Sequence, residues 1–149
     1  MSAPTNIFEM LTRDEARRPM IYDDSDGGPV ILATRGNVTG GVGRNMSAVP
    51  FSDDEIDLML RNDVARAQKS LSVFAWYNAL DEVRQAGVVN MVFNLGSHEL
   101  LLHWPHLLSA LASGDWQRAH DEALDPHWIS QVHARGERVA DMFLTGEWQ

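Results

Sequence analysis

The chain of 149 residues contains no cysteine. Disulfides and thiolate-ligated metals are therefore excluded, and the composition suits a reducing cytoplasm. No apolar run approaches the roughly 18 residues that a membrane-spanning helix needs. The first residues, Met1 to Asn6, hold no Lys or Arg and precede no apolar stretch of signal-peptide kind, so neither stable membrane insertion nor general secretion is expected. Basic residues are scarce, 12 Lys and Arg against 21 Asp and Glu, for a net charge of -9. The longest basic cluster is Arg17-Arg18. Nucleic acid is a poor partner for such a chain, because its phosphates require a basic patch.

What is present fits one folding unit. An apolar fraction of 44% is ordinary, and a chain of this size buries roughly 70% of its unfolded surface. Residues from about 17 to 50 are rich in Gly, Pro, Asp and Asn. They hold short β-type fragments, Met20-Ile21-Tyr22 and Val30-Ile31-Leu32, punctuated by the turn sequences Asp26-Gly27-Gly28-Pro29 and Arg35-Gly36-Asn37. From Ser52 the pattern is helical. Ser52 and Glu55 form a capping box, and Ile56, Leu60, Val64, Ala67 and Leu71 predict one apolar stripe on a helix over about 53–71. Further helices are expected over 76–85 and 88–95, the latter apolar on most sides and closed by Gly96. Others follow over 105–112, 116–124, a short segment from Asp125-Pro126, and 134–144. Together with an amino-terminal helix at 5–14, the pattern predicts an α+β protein, mostly α: a small lobe at about 14–52, a connecting helix, and a helical lobe over about 72–149. A cleft between two lobes is a natural seat for an extended ligand.

Three places carry candidate chemistry. Glu15 lies four residues beyond Leu11 and eight beyond Ile7, so its carboxyl extends the apolar side of the first helix, at its carboxyl end. Partial burial and the negative end of the helix dipole both raise a carboxyl above its reference of about 4.3, as a proton donor requires. Equally, Glu15 reads as an exposed glutamate at a helix end. Asp24 stands in Asp23-Asp24-Ser25-Asp26-Gly27, a run that by itself says turn and lacks the ligand spacing of a calcium loop. Thr39 opens a glycine-rich run ending in Gly41-Val42-Gly43-Arg44-Asn45, which completes neither a phosphate loop nor a dinucleotide fingerprint. His98 and His103 suggest a zinc-protease helix, but they stand five residues apart where that motif needs four, so no metal is expected. The tryptophans at 76, 104, 116, 128 and 148 read as packing, with one or two available to a groove.

Several stretches together resemble the T-even-phage-type lysozymes. They are Asn6 through Glu15, Ile21-Tyr22 with Asp24, Thr39 with Gly41-Val42-Gly43, and Leu80-Asp81 with Val83-Arg84. The match continues in Asn90-Met91-Val92-Phe93 with Gly96, in Trp128, Gln131, Arg135 and Arg138-Val139, and in Phe143, Thr145-Gly146 and Trp148. The resemblance implies a lysozyme-like fold with a small β-hairpin lobe and a larger helical lobe flanking a cleft. It implies Glu15 as general acid, Asp24 as the carboxylate that activates water, and Thr39 as the hydroxyl that positions it. Asn45 and Phe93 would contact sugar, and Arg135 would pair with Glu15. The implied reaction is hydrolysis of the β-1,4 bond between N-acetylmuramic acid and N-acetylglucosamine, by a monomer, without metal or cofactor. The partner is the peptidoglycan glycan strand, and an endolysin of this kind waits in the host cytoplasm until lysis and then meets the wall. A tail-associated or effector muramidase, and a non-catalytic peptidoglycan-binding protein, are the alternatives. The chain departs from the family in a longer stretch between Asp24 and Thr39, in Gly40 and Arg44, in a shorter stretch from Asn45 to Ser52, and in its acidity. An anionic wall offers an acidic enzyme no electrostatic steering.

Overall fold

The structure is a computed structural model and describes residues 18–31 and 35–149. The expected helix at 5–14, and Glu15 with it, lie outside the described residues. The chain divides into two compact units, 1–56 and 57–149.

In the first unit, β1 (Arg18–Asp23), β2 (Val38–Gly41) and β3 (Arg44–Asn45) form an antiparallel sheet in that order. Tyr22 pairs with Thr39 and Asp23 with Val38, while Thr39 also pairs with Asn45 across the next ladder. The β2–β3 hairpin turns on Gly41 and Gly43, at φ +62° and +65°, a left-handed conformation that glycine takes without a Cβ penalty. Of the two expected β fragments, Met20-Ile21-Tyr22 lies inside β1. Of the other, Leu32 lies outside the described residues and Val30 and Ile31 are in no strand; Pro29 bridges to Tyr22, and the strand is formed at Val38 instead. Pro29 has no N–H to extend a ladder.

Eight helices follow among the described residues. Helix α1 (Asp53–Leu71) begins in the capping box: Glu55 N donates to Ser52 Oγ at 3.4 Å and Ser52 N to Glu55 Oε2 at 2.8 Å. Its predicted stripe is buried only at the far end, at Ala67 and Leu71; Ile56 and Leu60 are 48% and 53% exposed. The expected helix at 76–85 is two elements, α2 (Ala75–Asn78) and the start of α3 (Glu82–Leu95). The break is chemical: Asp81 caps α3 by accepting from Arg84 N at 3.0 Å, and α3 then runs without interruption through the segment expected to begin at Val88. Next come α4 (Ser97–His103), α5 (Pro105–Ser113), α6 (Trp116–Ala123), α7 (Pro126–Val132) and α8 (Ala134–Thr145). Asp115 and Asp125 cap α6 and α7, and Gly114 and Gly146 close α5 and α8. The fold class is therefore α+β, mostly α.

The core belongs to the helical unit, where α3, α6 and α7 pack on α8. Leu71, Met91, Leu100, Leu107, Trp128, Val139 and Phe143 are all buried there. Trp104 meets Trp128 edge-on at 5.7 Å. Arg84 is buried among them. Its Nε donates to Phe143 O at 2.9 Å and its Nη2 to Leu144 O at 3.2 Å. Its Nη1 donates to Asp81 Oδ2 at 2.5 Å, and its guanidinium lies 3.9 Å from the Trp116 ring centroid. No helix among the described residues is long and apolar enough to cross a membrane. Arg84→Leu should leave two carbonyls and a carboxylate without their donors and cost about 1–3 kcal/mol, read as a lower midpoint in urea unfolding.

Candidate active site

The loop from Asp24 to Asn37 must bring its main-chain donors back to acceptors, and two adjacent carboxylates supply them. Asp23, 5% exposed, accepts at Oδ1 from Ser25 Oγ (2.7 Å), Ser25 N (2.9 Å) and Gly36 N (3.0 Å), and at Oδ2 from Arg35 N (2.9 Å). The Ser25 hydroxyl, followed by these main-chain donors, holds the Asp23 carboxyl below its usual range. Asp24, next in sequence, points to the exposed side. Its Oδ1 accepts from Asn37 N at 2.6 Å and its Oδ2 from Asn37 Nδ2 at 3.0 Å. Asp24 N in turn donates to Asn37 O at 3.1 Å. Each carboxylate oxygen thus keeps a second lone pair for a further donor.

Thr39 is 5% exposed and its Oγ1 donates to Asn37 O at 3.3 Å. Asp24 and Thr39, both singled out from sequence, therefore meet on one residue that was not. Asn45 is Thr39's partner across the β2–β3 ladder. Its Oδ1 accepts from Ser47 N and Ala48 N at 3.0 and 3.1 Å, which leaves its Nδ2 as the group available to a ligand. Arg44 anchors the hairpin to the start of α1 by an ion pair with Glu55, and its guanidinium lies 5.2 Å from the Phe51 ring centroid. Hydrogen bonding from Arg44 is the first cause that lowers the Glu55 carboxyl.

The remaining nominated residues stand in the helical unit. Phe93 on α3 is 43% exposed and lines a pocket of about 330 Å³ with Asp63, Arg66 and Ser97. Arg135 on α8 donates from Nε to Asn90 Oδ1 at 2.7 Å and from Nη2 to Asn90 O at 3.1 Å. Its pairing with Glu15 falls outside the described residues. Sequence reading missed three features. Asp23 and Asn37 gave no signal beyond turn chemistry. A pocket of about 590 Å³, lined by Asn94, His103, Trp104, His127, Trp128 and Gln131 among others, contains none of the nominated residues; Trp104 and Trp128 were its one visible hint. His98 and His103 do share a helix, α4, where His103 Nε2 lies 3.7 Å from Glu99 Oε2.

Chemically, the first unit presents an exposed carboxylate held at both oxygens by Asn37, whose carbonyl also accepts the proton of the buried Thr39 hydroxyl. That is an arrangement able to accept a proton from water. No family model matches the chain. It is 29% identical to the pre-baseplate central spike protein Gp5 of Enterobacteria phage T4, over 95% of this chain and 28% of that protein. The chain thus spans little more than a quarter of the spike protein's length. It is also 23% and 25% identical to the probable T4-type lysozymes 1 and 2 of Dictyostelium discoideum, over 95% of each chain. The chain is similar along nearly its whole length to proteins named T4-type lysozymes.

Two outcomes test the loop. A Cβ on Gly36 would fall on the carboxylate oxygens of Asp23 and Asp24 and within 2.7 Å of Ser25 N. Gly36→Ala should therefore cost the first unit about 1–3 kcal/mol, read as faster hydrogen exchange at the Arg35 and Asn37 amides. Because the Asp23 value is depressed on folding, its contribution is present above the ordinary 3.8 and is lost as pH falls through the depressed value. An amide chemical-shift titration should show Arg35 and Gly36 leaving their folded positions together below pH 3.8, a step that Asp23→Asn lacks.

Proposed function

We propose that the chain is a muramidase: a glycoside hydrolase that cuts the β-1,4 bond between N-acetylmuramic acid and N-acetylglucosamine in bacterial peptidoglycan. The observation that carries this reading is the exposed Asp24 carboxylate, held at both oxygens by the residue that also engages Thr39. The similarity to proteins named T4-type lysozymes supports it. In this reading Glu15 protonates the leaving sugar oxygen. A water, positioned by Thr39, attacks the anomeric carbon and gives its proton to Asp24. Asn45 and Phe93 contact the glycan, and Arg135 pairs with Glu15. No metal or cofactor enters the reaction. Single displacement needs room for that water, so the Glu15 and Asp24 carboxyls should stand roughly 6.5–9.5 Å apart.

The cellular role we assign is that of an endolysin, a monomer held in the host cytoplasm and released onto the wall at lysis. A second reading, a wall-cutting module of a phage tail, is favoured by the similarity to a central spike protein.

Loss of turbidity in outer-membrane-permeabilised Gram-negative cells tests the activity. Glu15→Gln should fold normally and lose about 10²- to 10⁴-fold, because an amide donates no such proton. A variant keeping most of the wild-type rate removes Glu15 from the mechanism. Proton NMR of fresh product should show the α-anomer first; a first-formed β-anomer makes Asp24 a nucleophile or stabiliser and leaves Thr39 without a role.

A further inference from the structure

Among the described residues, Asn37 meets Asp24 with both its main chain and its side chain and meets Thr39 with its carbonyl. We propose that Asn37 is a positioning residue for the hydrolytic step, fixing the plane of the Asp24 carboxylate and turning the Thr39 hydroxyl. This deepens the muramidase reading and rests on it.

An exposed aspartate rotates its carboxylate freely, and one donor does not stop it. Two donors from one residue, one to each oxygen, define the carboxylate plane and leave a lone pair on each oxygen for the reaction. Asn37 supplies both, from its main-chain N at 2.6 Å and its Nδ2 at 3.0 Å. The second consequence concerns hydrogen direction. A water that attacks a sugar carbon must keep a lone pair for that carbon and spend both hydrogens on acceptors. Asp24 accepts one and takes that proton as the new C–O bond forms. The electron pair of the breaking bond goes to the leaving oxygen, which is protonated by Glu15. The other water hydrogen needs an acceptor that does not itself donate. The Thr39 proton is spent on Asn37 O at 3.3 Å, so its oxygen can act only as that acceptor. A free Thr39 hydroxyl would compete for the lone pair the reaction uses.

The main-chain share of this clamp survives substitution, so the side-chain amide is separately testable. Asn37 is exposed, so its replacement leaves the sheet intact. The experiment uses the full chain on soluble peptidoglycan fragments. Asn37→Leu keeps the bulk without the donor and should lower kcat about 10- to 100-fold with KM unchanged within about twofold, since misplacing a reacting group costs rate rather than binding. Asn37→Ser returns a short donor and should recover part of that loss. Thermal unfolding of both variants should match wild type. In the amide NMR spectrum, Asp24→Ala should move the Asn37 side-chain NH₂ signals upfield as their charged acceptor disappears. An inactive wild-type chain overturns the muramidase reading and the positioning role together. An active wild-type chain whose Asn37→Leu variant keeps wild-type kcat overturns the positioning role alone. So does a variant that loses activity only in proportion to unfolding, or an Asn37 NH₂ pair unmoved by Asp24→Ala.

Discussion

In the first unit the return from β1 to β2 depends on main-chain N–H groups finding carboxylate acceptors, at residues 25, 35, 36 and 37. Asp23 and Asp24 divide the work. Asp23 turns inward and accepts from residues 25, 35 and 36, while Asp24 turns outward and accepts from Asn37. The ladder pair Asp23–Val38 and the seating of Thr39 follow from that closure. Thr39 places Asn45 across the hairpin, and Arg44, beside Asn45, ties the hairpin to the capping box of α1 through Glu55. An unbroken series of contacts thus runs from the loop to the helix start, and the acceptor carboxylates stand at its head. Asp23 is the last residue of β1 and Asp24 the first of the turn, and the two carboxylates accept from different donors.

The helical unit is stabilised differently. Its apolar interior is filled by helix faces around Trp128 and Phe143, and its one buried cation, among the described residues, is satisfied by two carbonyls, a carboxylate and an indole face. Burying a guanidinium is tolerable only when its donors are so occupied. The same residue links the cap of α3 to the end of α8, so one side chain holds two helix termini in register. The first unit has instead a sheet of short strands, ordered by hydrogen bonds and by the loop that closes on Asp23 and Asp24.

Charge bears on the two cellular readings. If the chain acts on peptidoglycan as proposed, its net charge of -9 gives it no long-range attraction to that anionic wall. A free enzyme must then find its substrate by diffusion and contact alone. A module carried to the wall by a larger assembly has no need of steering, and in that setting the acidity costs least. The similarity to a spike protein roughly three and a half times as long as the shared segment is what favours the second, tail-module reading.

The sequence by itself determined most of the helices, because their signals are local. Capping serines and aspartates, terminal glycines and three-to-four periodicity act within a turn or two of the chain. It also placed Thr39 and Asp24 among the residues of interest through family resemblance. It misjudged the segment from Trp76 to Leu95, where apolar continuity concealed the cap at Asp81, and the stripe of α1, where periodicity did not say which turns would find a neighbour. Only the tertiary structure decided that Asp23 is buried while Asp24 is exposed, that Gly36 is needed for the chain to reach both, and that Asn37 joins Asp24 to Thr39. Those facts depend on groups 12 and 13 residues apart meeting in space. A turn-rich stretch reads the same in sequence whether its carboxylates face water or its own backbone, and closing the loop is what separates the two.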